Sequence, residues 1–396
     1  MQRYFLSFHL LFISLFIMGC SSSPSPVLPP VKLSPIESKV SFTEDWSGSY
    51  NEGVSDNYYF IEPVFYNNTV YVVDYLGELS AIDQTSGDTL WSVKLNQIIS
   101  AGLTRINTRL FLGTNNGEVI ALNIENGKLL WTSKVTSEIF AKPIQAGNFI
   151  IVKTVDGKIT ALDHKTGESK WTYDRPVPAL TLRGNSSPVV YDNTLIAGLD
   201  NGKLVGLSLD TGQELWSVAI SSPRGRTEIE RMVDIDATPV IKGEYLFVVS
   251  YQGKIASIHI PSGKMVWNRD FSAYTGIAFN QSSIFVTDSE GYVWSLDQSS
   301  GATIWKQDKL LRRSVTKPSL FKDSVAVADF NGFIHLLDIK DGRIKGRIHL
   351  DGTGKETSDD FLFDKSSNIL VAPIAVKDSL FVFDRLGYIA RYTIRQ

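Results

Sequence analysis

Gly157-Lys-Ile-Thr-Ala-Leu-Asp-His-Lys-Thr-Gly167-Glu-Ser-Lys-Trp171 sets a ruler for the whole chain: a glycine, a second glycine ten residues on, and a tryptophan four residues later. Gly77/Gly87/Trp91, Gly117/Gly127/Trp131, Gly202/Gly212/Trp216, Gly253/Gly263/Trp267 and Gly291/Gly301/Trp305 repeat it in full. Gly332/Gly342 carries Gly346 at the tryptophan position, and after Gly387 the chain ends one residue before the second glycine. A proline stands fourteen residues before the first glycine in six units (Pro63, Pro143, Pro188, Pro239, Pro318, Pro373), with Leu103 and Ile277 at the other two. The first glycine recurs every 38 to 55 residues, a period that means an array of like units.

Within each unit, polar turns such as Asn67-Asn68 and Asp192-Asn193 separate short apolar runs such as Val70–Val73 and Leu79–Ile82. Runs of this length between turn residues are antiparallel strands, four to a unit. Spacing inside the units is rigid because a one-residue slip would turn every buried side chain of a strand outward. The glycines are expected at positive φ, and the tryptophans between neighbouring sheets. The fold class is therefore all-β: an eight-bladed β-propeller of four-stranded antiparallel blades over 38–396. The last unit lacks its fourth strand. Val40–Trp46 supplies a strand with a tryptophan, and we expect it to complete that blade and close the ring.

Residues 1–19 carry Arg3 and an apolar run from Tyr4 to Met18, the pattern of a cleaved signal peptide. Ile17-Met-Gly-Cys20 resembles a bacterial lipobox, which implies acylation of Cys20 as the first mature residue. Ser21 rather than aspartate follows it, and by resemblance to lipoprotein sorting this favours the outer membrane. The Ser/Pro-rich stretch to residue 37 is expected to be an extended, flexible tether reaching roughly 50 Å.

The composition argues against several function classes. With 39 basic and 42 acidic residues the net charge is −3, and no basic run points to nucleic acid. Cys20 is the single cysteine, which leaves no internal disulfide and no thiol metal site. The five histidines are scattered, without HExxH or other dense ligand spacing. Gly352-Thr-Gly-Lys355 matches only part of a P-loop, and His349 stands where its earlier glycine belongs. No Ser-His-Asp arrangement can be assembled from spacing, so no catalytic residue and no cofactor is assigned. Asp83, Asn123, Asp163, Asp297 and Asp338, each six residues after a first glycine, are expected to bond the turn that follows, and His259 replaces that residue in one unit.

Length variation falls almost wholly in one kind of connection. From tryptophan position to next proline position the intervals are 12, 12, 17, 23, 10, 13 and 27. These connections emerge on one face with the first-glycine hairpins, so the insertions decorate a single face, the usual binding surface of such arrays. Two long insertions are successive. The first contains Ala179-Leu-Thr-Leu-Arg-Gly184, and the second runs from Arg224 through Glu228-Ile-Glu-Arg-Met-Val-Asp-Ile-Asp236. Leu180 and Leu182 beside Arg183 either anchor a protein partner or cover a blade edge, and Asp234 and Asp236 can project to one side of an extended segment.

The lipobox, the tether, repeats of the form Ala161-x-Asp163-x-x-Thr166-Gly167-x-x-x-Trp171 and the segments Leu180–Gly184 and Glu228–Asp236 together resemble the BamB family of outer-membrane protein assembly lipoproteins. The resemblance covers the whole chain. It implies a non-enzymatic subunit of the β-barrel assembly machinery, lipid-anchored on the periplasmic face of the outer membrane. It also implies binding to the POTRA domains of BamA through Leu180, Leu182, Arg183, Asp234 and Asp236, with unfolded outer-membrane proteins as further clients. The repeat is also similar to that of quinoprotein dehydrogenases, which use pyrroloquinoline quinone and calcium, although this chain is short for them and lacks their adjacent cysteines. A tethered propeller of another envelope complex is the third reading.

Overall fold

The computed structural model describes residues 28–54, 57, 59–178, 180–181, 186–350 and 369–395. The chain divides after Pro30, and all the strands among the described residues fall in Val31–Gln396. Among the described residues these form eight antiparallel four-stranded sheets, arranged as the blades of a propeller. Seven blades are continuous in sequence, as in blade 3: Ile144–Ala146, Phe149–Lys153, Ile159–Asp163 and Ser169–Tyr173. The eighth joins Ile374–Val376, Ser379–Phe383 and Tyr388–Arg395 to Ser41–Ser49 from the other end of the chain. Ser41 pairs with Arg395 and Ser49 with Tyr388, so closure is made by backbone hydrogen bonds between the two ends of the chain.

The second strand of each blade is nearly all buried, whereas in blades 1 to 5 the fourth runs largely between half-buried and exposed side chains at the rim; in blade 7 the fourth strand, Ile344–His349, has no exposed residue. This gradient places the apolar core between successive blades, where cluster after cluster combines residues of two neighbours. The tryptophan ruler also has its physical explanation here. The ring of Trp91 packs on Gly127 of the next blade, and Trp131 packs likewise on Gly167, Trp171 on Gly212, Trp267 on Gly301 and Trp305 on Gly342. A Cβ on those glycines would meet the ring at 2.5–2.9 Å, closer than carbon atoms approach. The second glycine thus meets two demands, a positive φ in the turn and a flat seat for the neighbour's indole. Trp171, Trp267 and Trp305 also donate Nε1–H to backbone carbonyls of the next blade at 2.8–3.0 Å.

Two repeats depart from the expected pattern. Gly253 does not take the positive φ expected of a first glycine, and Gln252 adopts it instead at 46°. Trp216 lies over Gly206 of its own blade, and a Cβ on Gly263 would meet no ring, nor any other atom within 4 Å. The expected turn bonds do form: Asp163 accepts from the backbone N–H of Lys165 and Thr166, and Asp297 from those of Ser299 and Ser300.

One part of the chain is not where its composition puts it. Residues 31–37, expected as tether, lie against blade 7, with Leu33 packed on the cluster that contains Phe285, Trp305 and Val315. Their partners are some 280 residues away, so no local signal announces the contact. Cys20, Leu182, Arg183 and Gly352–Lys355 lie outside the described residues.

Candidate functional site

The face that carries the first-glycine hairpins also carries the long connections, and its two successive insertions are joined at their roots. Ser186 Oγ donates to the Ala237 carbonyl at 3.3 Å, and Ser187 N–H donates to Thr238 Oγ1 at 3.1 Å. Ser187 Oγ reaches the Lys142 carbonyl at 2.8 Å, which ties both loops to blade 3.

The second insertion is built in two parts. Over 225–232 it folds into a knot: Glu230 Oε2 accepts from the N–H groups of Arg226 and Thr227 at 2.7 and 3.2 Å, while Thr227 Oγ1 accepts from Glu230 N–H. These bonds hold the Glu230 carboxyl below the usual carboxylate range. The knot lifts Ile229 into solvent, 63% exposed. Leu180 on the neighbouring loop is 41% exposed, so two apolar side chains stand free on adjacent loops.

From Val233 to Ala237 the same segment is buried. Val233 packs over Gly202 and Ile235 over Gly198, two glycines whose missing Cβ atoms make the room. The Asp234 carbonyl accepts from Tyr251 N–H at 3.0 Å and Ile235 N–H donates to the Leu199 carbonyl at 3.4 Å, which stitches the loop to blades 4 and 5. Asp234 and Asp236, expected at the surface, are instead enclosed at 0% and 6% exposure. The alternation of Val233, Ile235 and Ala237 with the two acids reads as a strand with one wet face, but both faces are enclosed, and Lys153 of blade 3 and Asp200 of blade 4 are among the charges that act on Asp236.

Beneath the loop, Lys153 Nζ donates to the Gly198 carbonyl at 3.0 Å and pairs with Asp200 Oδ1 at 3.2 Å, both side chains buried. Burial foremost, with the neighbouring Asp234 and Asp200 adding to it against the opposing pull of Lys153, pushes Asp236 up to about 7. Neither carboxyl oxygen of Asp236 has a hydrogen-bond partner among the described residues. No group of three or more His, Cys, Asp or Glu is arranged to hold a metal ion among the described residues.

At the axis of the same face, Glu62 sits between Lys317, at 2.9 Å, and Lys142, at 3.5 Å. These residues precede Pro63, Pro318 and Pro143, so the bridge joins blade 1 to blades 7 and 3 and passes over blades 8 and 2. Gly102 lets the backbone that carries Glu62 approach blade 2 closely: a Cβ there would lie 2.8 Å from the Glu62 backbone nitrogen. Burial alone would raise the Glu62 carboxyl, but the two ammonium groups outweigh it and hold it at about 2. Sequence reasoning missed this triad, although the charged residue before each of three equivalent prolines was a visible signal.

Comparison with known proteins now identifies the lineage. The family model described as outer membrane protein assembly factor BamB matches residues 75–307. The chain belongs to the BamB family. A BamB of Pseudomonas aeruginosa is 44% identical over 98% of both chains, and one of Kangiella koreensis is 40% identical over 96% of this chain and 94% of its own. The Escherichia coli K12 BamB is 32% identical, covering 86% of this chain and 90% of that one. Among solved structures, BamB from Moraxella catarrhalis superposes with a TM-score of 0.78 at 21% identity, covering 89% of this chain and all of that one. Quinohemoprotein alcohol dehydrogenase from Comamonas testosteroni reaches 0.69 at 13% identity over 89% of this chain and 76% of its own, a likeness of fold alone. The BamB relatives are named as assembly factors, not as enzymes.

Proposed function

We propose that this chain is a lipid-anchored, non-enzymatic scaffold of the outer-membrane β-barrel assembly machinery, and that its insertion face docks on the POTRA domains of BamA. Family membership supports the role in outer-membrane protein assembly. The docking face rests on one observation: Leu180 and Ile229 stand exposed on two adjacent loops whose roots are bonded together at Ser186–Ala237 and Ser187–Thr238. Apolar anchors on a rigid base lose little side-chain freedom on binding, which is how a few residues come to dominate an interface.

In this reading Leu180, Leu182 and Arg183 meet the partner directly. Asp234 and Asp236 act from below, by holding the second loop in register with the first. Anchoring through Cys20 raises the effective concentration of the scaffold at the membrane. The test is capture of a BamA POTRA fragment by the purified mature chain. Leu180→Ala/Leu182→Ala/Arg183→Ala is expected to lower capture at least tenfold, the loss of about 1.4 kcal/mol or more, with the thermal midpoint unchanged. Wild-type capture by that folded variant would remove the first loop from the site.

A further inference from the structure

The segment expected as tether is held by a network that begins deep in blade 7. Arg313, fully buried, donates from Nε to Asp329 Oδ2 at 2.6 Å and from Nη1 to the Val31 carbonyl at 3.1 Å. His335 Nε2, also buried, bonds the same Asp329 oxygen at 3.0 Å. Its Nδ1 accepts from Arg347 Nε at 3.2 Å, which fixes the proton on Nε2, and Arg347 Nη1 donates to the Ser34 carbonyl at 3.0 Å. Val31 N–H donates to the Leu311 carbonyl at 3.1 Å and Lys39 N–H to the Lys345 carbonyl at 2.7 Å, so both ends of the segment are fastened by backbone.

This is costly construction. A buried arginine and aspartate must satisfy each other and find partners for their further polar atoms, and here two guanidinium groups spend donors on main-chain carbonyls of residues 31 and 34. Arg313 is turned inward between two non-glycine residues at positive φ, Arg312 at 59° and Ser314 at 45°. Backbone strain on both sides of one side chain persists only where the surroundings hold it.

The direction of the segment matters more than its attachment. Lys345, beside Lys39, is at the start of the outer strand Ile344–His349, next to the Gly342 turn on the face opposite the insertions. Leu311, beside Val31, belongs to the connection between blades 6 and 7 on the insertion face. Going backward from the closing strand, the chain therefore climbs the rim of blade 7 and leaves at the insertion face. Only residues 21–30 then separate Cys20 from the fixed point, a reach of about 30 Å instead of roughly 50.

We propose that residues 31–39 are a fixed strap that brings the lipid tether out at the insertion face between blades 6 and 7, so that the anchor holds this face toward the membrane. The proposal rests on the lipid-anchor reading of Cys20. It gives the docking loops a defined aspect: they face the bilayer that holds the partner.

The experiment uses the lipidated mature chain in phosphatidylglycerol/phosphatidylethanolamine vesicles, with a single fluorophore on Lys309→Cys, at the insertion face, or on Lys340→Cys, in the turn before Gly342. Energy transfer to a headgroup acceptor is expected to be roughly twofold stronger from position 309 than from 340, because a short leash restrains the near face most. Leu33→Ser/Arg347→Ala, which leaves Arg313, Asp329 and His335 in place, is expected to abolish that difference while β-sheet circular dichroism is unchanged. Arg313→Met is expected to do the same where it folds. Equal transfer from both positions in vesicle-bound wild type overturns the strap's role in orientation. Failure of the wild type to float with vesicles overturns the anchor reading instead, and the orientation falls with it. Hydrogen exchange at Val31 and Lys39 reads the strap without the lipid: protected amides support it, and exchange at the rate of an unstructured peptide overturns it.

Discussion

Gly346 lies directly beneath Val40, with no room for a side chain between them. In the other blades the equivalent position is a tryptophan, and its absence from the seventh looks like decay of the repeat. The structure shows the reverse: the incoming N-terminal segment fills that space with Val40 and Phe42, and both pack in the cluster shared by blades 7 and 8. Restoring the repeat by Gly346→Trp is therefore expected to destabilise by about 1–3 kcal/mol, the usual cost of overpacking. Denaturant unfolding measures it, and unchanged stability would mean that the N-terminal segment does not occupy the slot.

Trp46 takes up the tryptophan role for blade 8. Its ring covers Gly87, where a Cβ would lie 2.7 Å from the indole, and its Nε1–H donates to the Gln84 carbonyl at 3.1 Å. Phe381 and Tyr50 meet it edge-on at 5.9 and 6.0 Å. Because the ring is only half-buried, Trp46→Ala is expected to cost about 2–3 kcal/mol, with Trp46→Phe recovering part of it. The decisive readout is amide exchange in Ser41–Ser49 and Tyr388–Arg395: opening of the ring at this seam should accelerate both strands together.

What the sequence made legible follows from range. Blade number, strand order, the glycine turns and closure by Val40–Trp46 rest on period-two patterns and fixed spacings, which act over a few residues and repeat often enough to correct one another. The two insertions were legible as a pair because their lengths stood out. The enclosure of Asp234 and Asp236 was not, since the groups around Asp236 include Lys153 and Asp200, supplied by two other blades. The strap was hidden for the same reason. The few apolar residues of the stretch, Val31, Leu33 and Ile36, are too sparse to name a partner, and Arg313 and Arg347 hold it through main-chain carbonyls that no side-chain pattern reports.

The bridge of Glu62 to Lys317 and Lys142 predicts an acid-sensitive closure of the axis. The Glu62 carboxyl is held at about 2 against an ordinary 4.5, so the folded protein keeps the charged form where the unfolded chain takes up a proton. That contribution is complete above about pH 4.5 and is lost as pH falls toward 2. Glu62→Gln is expected to be less stable than wild type at pH 7, with the gap narrowing steadily below pH 4.5. A gap that stays constant down to pH 3 would assign the effect to packing.

Asp236 works with the opposite sign. It titrates near 3.8 in ordinary surroundings and at about 7 when folded, so between those values the folded protein holds a proton that the unfolded chain has released. Raising pH through that window removes stability, and Asp236→Asn should be more stable than wild type at pH 8 by on the order of 2 kcal/mol, with no difference near pH 4. The same variant separates two roles. Its amide side chain keeps the volume that supports Ile235 and the loop, so capture of the POTRA fragment should be undiminished, whereas Asp234→Ala/Asp236→Ala empties the space and should weaken it. If the partner instead reads the Asp236 charge, the single amide substitution will lose capture as far as the double alanine does, and the role of Asp236 as a support from below is wrong.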